Sequence, residues 1–292
     1  RGWVNLAKSQ ANLFSIDSHS RGLQFASLSF DAAAFEISMM LTQGATLYLL
    51  SDNQQQTPEL LDAFVETHQL THATLPPVLL AHLTPEKWRS VLTLIVAGES
   101  ISSSMMKPWL HGRQLFNAYG PTEATVCATA GQLMKTIHIG KPLHNTVIRI
   151  LDEHQRLVPV GVVGELCVGG RQLARGYLNL PEMTKRQFIT DPYGNGALDR
   201  LYRTGDLARW LENGTIEFIG RSDDQIKIRG YRIELGEIEA ALLGHEAILS
   251  AVVMAHNDKQ QLIAYLCPTK AYLDMQSRAF NTKSVNQWTT VF

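Results

Sequence analysis

Gln114-Leu-Phe-Asn-Ala-Tyr-Gly-Pro-Thr-Glu123 is the stretch on which the reading of this chain turns. Gln114 to Phe116 has the apolar character of a short strand, and Asn117 to Glu123 follows the strand end, where open α/β sheets place their ligands. Gly120-Pro121 forces a tight turn that brings the phenol of Tyr119, the hydroxyl of Thr122 and the carboxylate of Glu123 together. Such a group can stack on a base, donate to a phosphate and hold a hard cation, since Mg²⁺ uses one or two carboxylates plus phosphate oxygens. Taken alone, the same residues also describe an ordinary Gly-Pro turn.

Upstream, from Leu23 to about Phe116, short apolar strands alternate with amphipathic helices. Ala45 to Leu50, His72 to Leu75 and Leu92 to Val96 read as strands, and Thr57-Pro58 supplies an N-cap and first position for a helix through about His68. Strands separated by helices imply a largely parallel, helix-covered sheet. Downstream of Gly140 the pattern changes to closely spaced β-hairpins: Thr146 to Leu151, Gly164 to Val168 and Thr215 to Ile219 read as strands, and Asn213-Gly214 is a two-residue hairpin signal. Gly220 to Asp224 is a polar break. Beyond it Gln225 to Ile233 alternates as one strand, Leu235, Ile238, Ala241 and Leu242 give a helix face, and Ile248 to Met254 and Leu262 to Cys267 are strands, a β-α-β-β unit of α+β type.

Composition narrows the class. The 292 residues suffice for one large domain or about two ordinary ones, taking roughly 150 residues per domain. The 45% hydrophobic content rules out disorder, and 26 basic against 27 acidic residues leave a net charge of −1, so no global positive field exists for nucleic acid or an anionic membrane. The apolar stretches are too short to span a bilayer, and the N-terminus has no signal-peptide pattern. Cys127, Cys167 and Cys267 form no C-x-x-C pair, which suggests neither a disulfide framework nor a cysteine zinc site and favours a reducing cytoplasm. His68 and His72 are spaced i, i+4, but lack the Glu that a metalloprotease needs, and read as helix-end histidines.

Two further motifs carry chemistry. In Tyr202-Arg-Thr-Gly-Asp206 a carboxylate after a Gly can accept both hydroxyls of a ribose, or cap a turn. Gly220-Arg-Ser-Asp-Asp-Gln-Ile-Lys-Ile-Arg-Gly-Tyr-Arg232 is either an edge strand protected by cations or a hinge whose guanidinium reaches a ligand's anion.

These motifs, with Phe30-Asp-Ala-Ala-Ala-Phe-Glu36, Gly164-Glu-Leu-Cys-Val-Gly-Gly170, Leu173-Ala-Arg-Gly-Tyr177 and Gly230-Tyr-Arg-Ile-Glu-Leu-Gly-Glu-Ile-Glu239, occur in the order seen in adenylate-forming enzymes. The chain resembles the amino-acid adenylation domains of nonribosomal peptide synthetases over about residues 1 to 267. The resemblance implies an α/β adenylate-forming fold: residues 1–222 belong to a large subdomain with a helix-covered sheet and a β-hairpin-rich part, 223–267 begin a small mobile α+β subdomain, and 268–292 are a connector.

It implies that ATP and an amino acid give aminoacyl-AMP and pyrophosphate, and that the acyl group then passes to the phosphopantetheine thiol of a peptidyl carrier domain, with condensation domains in the same synthetase. By motif match, Tyr119 stacks on adenine with Asn117 nearby, Asp206 holds the ribose, Phe218 lines the nucleotide site and Arg221 reaches the nucleotide. Thr122 touches phosphate, Glu123 binds Mg²⁺, Asp223 is the hinge, and Lys227 lies on the first strand past it with a catalytic assignment.

Asp31 matches the pocket carboxylate that pairs the substrate's α-ammonium; an acid among Phe30, Ala32, Ala33, Ala34 and Phe35 is costly to bury without a cationic partner. The pocket walls by the same matching are Ala32, Phe35, Thr74, Ile95, Ala97, Ala118, Val126 and Cys127. They are small or apolar and similar to phenylalanine-activating pockets, with tyrosine next because Thr74 and Cys127 tolerate a hydroxyl.

The family's phosphate-covering Gly/Ser/Thr-rich loop is expected before residue 1, and its adenylation lysine after Cys267. Ser284 to Phe292 resembles instead the entry to an inserted N-methyltransferase, which would bring S-adenosylmethionine to the parent enzyme. The chain thus reads as a fragment with weak activity alone. Two other readings are a stand-alone acyl- or aryl-acid CoA ligase, which would lack Asp31, and a noncatalytic nucleotide-binding fragment.

Overall fold

A computed structural model describes residues 1–194, 199–223, 225–228, 231–256 and 261–273; the side chains of residues 227, 231 and 232 are not described. The chain divides into two compact units, Arg1–Asp223 and Asp224–Phe292. The first unit opens with α1 (Gly2–Leu13), β1 (Arg21–Gln24), α2 (Asp31–Leu41), β2 (Thr46–Leu49), α3 (Asp52–Gln56), α4 (Pro58–His68), β3 (His72–Leu75) and β4 (Thr93–Ala97). It continues with α5 (Ser103–Met106), β5 (Gln114–Tyr119), β6 (Thr129–Leu133) and β7 (Lys141–Pro142).

These seven strands form one sheet in the order β2-β1-β3-β4-β5-β6-β7, parallel from β2 to β5 and antiparallel from β5 to β7. Winding reverses between β1 and β3: α2 leads outward to β2, and α4 returns across β1 to β3. That reversal places α4 and α2 in different cores. Leu61 and Val65 of α4 pack with Leu75, Leu94 and Leu115. Phe35, Met39 and Met40 of α2 pack with Leu6 of α1, Ile95, Phe116 and Ala118. Open sheets bind ligands in the crevice beyond the carboxyl ends of their strands at such a reversal.

The second half of the unit holds β8 (Thr146–Leu151), β9 (Gly164–Gly170), α6 (Pro181–Gln187), β10 (Phe188–Thr190), β11 (Arg200–Trp210) and β12 (Ile216–Arg221). They build a five-stranded antiparallel sheet, β10-β11-β9-β8, in which β10 pairs with residues 200–202 of the long strand β11 and β12 with residues 206–210. Ala124 and Ala128, from the turn after β5, pack with Ile148, Ile150, Leu166, Val168, Ala208 and Ile216 of this sheet. The turn is therefore held between the two sheets.

The second unit contains the hairpin β13 (Ile226–Ile228) and β14 (Tyr231–Ile233), helix α7 (Leu235–Leu243) and the hairpin β15 (Ile248–His256) and β16 (Gln261–Pro268). Val253 of β15 is buried and its N–H donates to Glu239 Oε1 of α7 at 2.8 Å.

Local departures from the sequence expectations have physical causes. The expected single strand over Gln225 to Ile233 is instead two antiparallel strands, Ile226–Ile228 and Tyr231–Ile233, because apolar alternation alone does not distinguish one long strand from two paired ones; the described elements of the unit run β-β-α-β-β. Strand β5 runs three residues past Phe116, so Asn117, Ala118 and Tyr119 belong to the sheet and not to the turn. Thr57 stands at the N-cap of α4 without capping it, its hydroxyl donating to Asn53 Oδ1 at 3.3 Å. The Asn213-Gly214 turn is longer than two residues: Leu211 N–H donates to Thr215 O at 2.8 Å, and Asn213 Oδ1 accepts from the backbone N–H and the hydroxyl of Thr215. The segment from residue 274, including the methyltransferase-like Ser284 to Phe292, lies outside the described residues. Among the described residues no helix is long and apolar enough to cross a membrane.

Candidate functional site

Asp31 is the first residue of α2, where the positive end of the helix favours a carboxylate. It is half-buried, and among the described residues it has no hydrogen-bond or ion-pair partner. Ala32 follows it, and Phe35 lies one turn on with 2% exposure. In parallel sheets paired residues share a face, so the registers Thr74↔Ile95, Ile95↔Phe116 and Ala97↔Ala118 put Thr74, Ile95, Ala97 and Ala118 on one side, the side covered by α2. Val126 and Cys127 close the set from the turn after β5 and pack in the same cluster. Of the nine residues matched to the substrate pocket, Phe35, Ile95, Ala97, Ala118, Val126 and Cys127 pack in one cluster, Thr74 shares the sheet face by register, and Asp31 and Ala32 begin helix α2. Besides the Asp31 carboxylate, the buried Thr74 Oγ1 has no hydrogen-bond partner among the described residues.

The turn that carries Val126 is tightly constrained. Thr125 and Val126 adopt φ of 55° and 67°, uncommon for β-branched residues. The conformation is held by Cys127 N–H donating to Thr125 O at 2.8 Å, Ala128 N–H donating to Tyr119 O at 2.8 Å, and the Thr125 hydroxyl donating to Gln172 O. A Cβ at Gly120 would stand 2.5 Å from Val126 O, so the chain crosses itself there only because residue 120 is glycine. Burial pushes the Cys127 thiol up to about 12, which disfavours the thiolate, and its Sγ donates to Thr129 O at 3.4 Å.

The second half of the site is polar. Tyr119, the last residue of β5, donates its hydroxyl to Asp206 Oδ2, and its ring lies 6.2 Å from that of Phe218. Asp206 Oδ1 accepts from Arg221 Nη1 at 2.6 Å, and Arg221 Nε and Nη2 close on the two oxygens of Asp223 at 2.7 and 2.8 Å. Burial and the neighbouring Asp206 carboxylate hold the Tyr119 phenol well above its ordinary range, fixing it as a donor.

Strand β11 carries Asp206 to this point by a bulge. Its register with β9 shifts between Arg203 and Leu207, and Gly205 at φ 71° leaves room for Arg221 Nη2, which a Cβ would approach at 2.8 Å. Thr204, which the sequence reading did not single out, donates to Leu166 O at 2.6 Å and accepts from Asp206 N–H at 3.0 Å.

Asn117 faces the same side of β5 as Tyr119, but its amide donates to His138 O at 2.9 Å and it is buried. Thr122 is exposed. Glu123 Oε1 accepts from the hydroxyl of Tyr177 at 2.6 Å, and Tyr177 lies 3.3 Å, oxygen to oxygen, from Tyr202. Lys227 lies in the other unit on β13, and its side chain is outside the described residues. Among the described residues no cluster of three or more His, Cys, Asp or Glu could hold a metal. A single carboxylate, Glu123, fits a Mg²⁺ delivered on nucleotide phosphates and does not fit a resident metal centre. His72, considered as a zinc ligand, is buried between Phe14 O and the Thr71 hydroxyl at 3.0 and 2.8 Å.

Glu36 ends the Phe30–Glu36 motif, in which the sequence alone points to no role for it. It is 1% exposed, and its Oε2 accepts from Gln24 Nε2 at 3.2 Å and from the N–H groups of Phe25 and Ala26 at 3.0 Å each. It pins the segment that leads from β1 to Asp31. Burial pushes its carboxyl up to about 8 against the opposing effect of these three donors.

The chain is similar to known proteins in sequence and in structure. Residues 1–178 match the AMP-binding enzyme family. The chain is 46% identical over 290 residues to bacitracin synthase 3 of Bacillus licheniformis, covering 99% of this chain and 4% of that protein. In structure it is similar to an NRPS protein containing adenylation and PCP domains, with a TM-score of 0.82, 30% identity and coverage of 93% of this chain and 57% of the other. It is also similar to the Vibrio cholerae adenylation domain AlmE in complex with glycyl-adenosine-5'-phosphate, with a TM-score of 0.80, 27% identity and coverage of 90% and 53%.

Proposed function

Because the chain belongs to the AMP-binding enzyme family and has the adenylate-forming fold, we propose that it activates an amino acid as its adenylate for a nonribosomal peptide synthetase. The observation that carries the reading is Asp31: a half-buried carboxylate without a partner among the described residues, at a helix N-terminus beside an apolar sheet face. A buried anion calls for a cation, and the α-ammonium of an amino acid supplies one while its side chain enters the apolar face. The similar adenylation domain solved with glycyl-adenosine-5'-phosphate supports the same chemistry.

In the reaction a carboxylate oxygen of the amino acid attacks the α-phosphorus of ATP, the bond from that phosphorus to the β-phosphate bridging oxygen breaks, and pyrophosphate leaves. Two anions must meet, so positioning and charge neutralisation do most of the catalytic work. Tyr119 and Phe218 offer rings to the adenine, Asp206 offers acceptors to the ribose hydroxyls, and Arg221 offers a guanidinium to the nucleotide's charge. Thr122, exposed on the turn, donates to phosphate. Glu123 would hold Mg²⁺, which would supply charge neutralisation to the phosphates. In the second half-reaction a carrier domain's phosphopantetheine thiol takes the acyl group and AMP leaves, with Asp223 as the pivot between the two states.

The pocket set of Ala32, Phe35, Thr74, Ile95, Ala97, Ala118, Val126 and Cys127 supports L-phenylalanine as substrate, with L-tyrosine next. A hydroxyl against the unpartnered Thr74 Oγ1 is the feature that would admit tyrosine. The test is Asp31→Asn in the full-length protein: ATP binding is retained and amino-acid-dependent ATP–pyrophosphate exchange falls at least about a hundredfold, the scale of losing a buried charge pair. Near-normal exchange removes Asp31 from its assigned place and the reading with it.

A further inference from the structure

The segment 174–177 is built to deliver one hydroxyl to Glu123. Ala174 N–H donates to Glu123 O at 2.8 Å, so the segment is docked on the backbone of the same residue whose side chain it reaches. Arg200 donates to Ala174 O at 2.9 Å and to Arg175 O at 3.0 Å, tying the segment to β11. Thr184 Oγ1 of α6 accepts from Tyr177 N–H at 2.9 Å. Gly176, at φ 147°, lies so close to this helix that a Cβ would stand 2.3 Å from Thr184 Cγ2. The Tyr177 ring is then fixed edge-on to Phe188 with centroids 5.7 Å apart, and Phe188 also packs against the ring of Tyr202. With ring and backbone both held, the Tyr177 oxygen is placed 2.6 Å from Glu123 Oε1, to which its hydroxyl donates, and 3.3 Å from the Tyr202 hydroxyl.

We propose that Tyr177 is a positioning residue for the metal–nucleotide complex: its hydroxyl fixes one oxygen of Glu123 and so sets the carboxylate plane that faces the metal. Carboxylates that ligate metals are oriented by hydrogen bonds from an outer shell, and loss of such a partner typically lowers metal affinity about 10- to 100-fold. The inference rests on the reading of Glu123 as the metal-binding carboxylate. Glu123 is 54 residues from Tyr177, and the bond exists only because the turn after β5 and the segment before α6 are packed together.

The test measures Mn²⁺ binding by electron paramagnetic resonance in the full-length protein, in the presence of α,β-methylene-ATP, for the native chain, Tyr177→Phe and Glu123→Gln. Tyr177→Phe keeps the ring against Phe188 and removes only the hydroxyl. Its Mn²⁺ affinity is expected to fall about tenfold, while AMP affinity and melting temperature stay at native values. Glu123→Gln is expected to lose Mn²⁺ binding almost entirely. If Glu123→Gln binds Mn²⁺ normally, the reading of Glu123 fails and takes the inference with it. If Glu123→Gln loses Mn²⁺ and Tyr177→Phe does not, the inference alone is overturned. A Tyr177→Phe variant whose AMP affinity and melting temperature fall together with Mn²⁺ affinity assigns Tyr177 to general packing and also overturns it.

Discussion

The Arg221 guanidinium donates to Asp206 Oδ1 at 2.6 Å, with the two side chains only 14% and 9% exposed. The pair joins the end of β12 to the bulge of β11, and the same guanidinium closes on Asp223, the last residue of the first unit. Arg221→Ala therefore removes the charged donor that Asp206 Oδ1 has among the described residues. Losing one partner of a largely buried pair costs about 2 kcal/mol here, below the fully buried case because some solvent remains. The expected fall in melting temperature is about 4–8 °C, with a matching loss of nucleotide affinity. An unchanged melting temperature in calorimetry would show that solvent replaces the guanidinium without cost.

Glu36 sets a pH dependence whose sign is definite. Its folded carboxyl is raised to about 8 from an ordinary 4.5, so between those values the folded state holds a proton that the unfolded state has released. The stabilisation is complete below about pH 4.5 and is lost as pH rises through about 8. Glu36→Gln keeps an amide oxygen for the Phe25 and Ala26 donors and removes the titration. Denaturant unfolding at pH 5, 6, 7 and 8 is expected to show a flatter stability profile for the variant, the difference approaching but not exceeding about 1.4 kcal/mol per pH unit, the slope for one proton. Parallel profiles would remove Glu36 as the source.

The three cysteines differ in reactivity for structural reasons. Cys127 and Cys167 are buried and their thiols are pushed up to about 12, Cys127 by burial and Cys167 by burial and then Glu165, whereas Cys267 is exposed. Iodoacetamide at pH 7.5 followed by peptide mass spectrometry is expected to label Cys267 within minutes, and Cys127 and Cys167 only after denaturation. Rapid labelling of Cys127 in the folded protein would contradict its placement in the closed pocket wall.

Periodicity recovered the elements whose burial is simple. His72 to Leu75, buried at every position, and Pro58 to His68, with Leu61, Asp62 and Val65 inward, are legible because one face or both are dry throughout. It failed where chemistry interrupts the pattern. Strand β11 is hard to read because Gly205 and the bulge look like a turn and because two of its alternate buried residues, Thr204 and Asp206 between Tyr202 and Ala208, are polar, so apolar alternation does not register it. Helix α1 was unread because its buried residues, Leu6, Ala7, Ser9 and Gln10, mix polar with apolar; Gln10 is inward to donate to Phe35 O at 3.1 Å. The motifs identified Glu123 and Asp206 one at a time. Tyr177 faces Glu123 through packing of segments 54 residues apart, whereas Arg221 faces Asp206 as its register partner on the neighbouring strand β12.

The most direct measurement is ATP–pyrophosphate exchange by the full-length protein across the twenty proteinogenic amino acids. Exchange dependent on L-phenylalanine, with L-tyrosine second and acidic and basic amino acids at background, is the expected result. Exchange driven by a charged amino acid with none from either aromatic one, or no amino-acid-dependent exchange at all, would contradict amino-acid activation through Asp31 and the apolar face behind it.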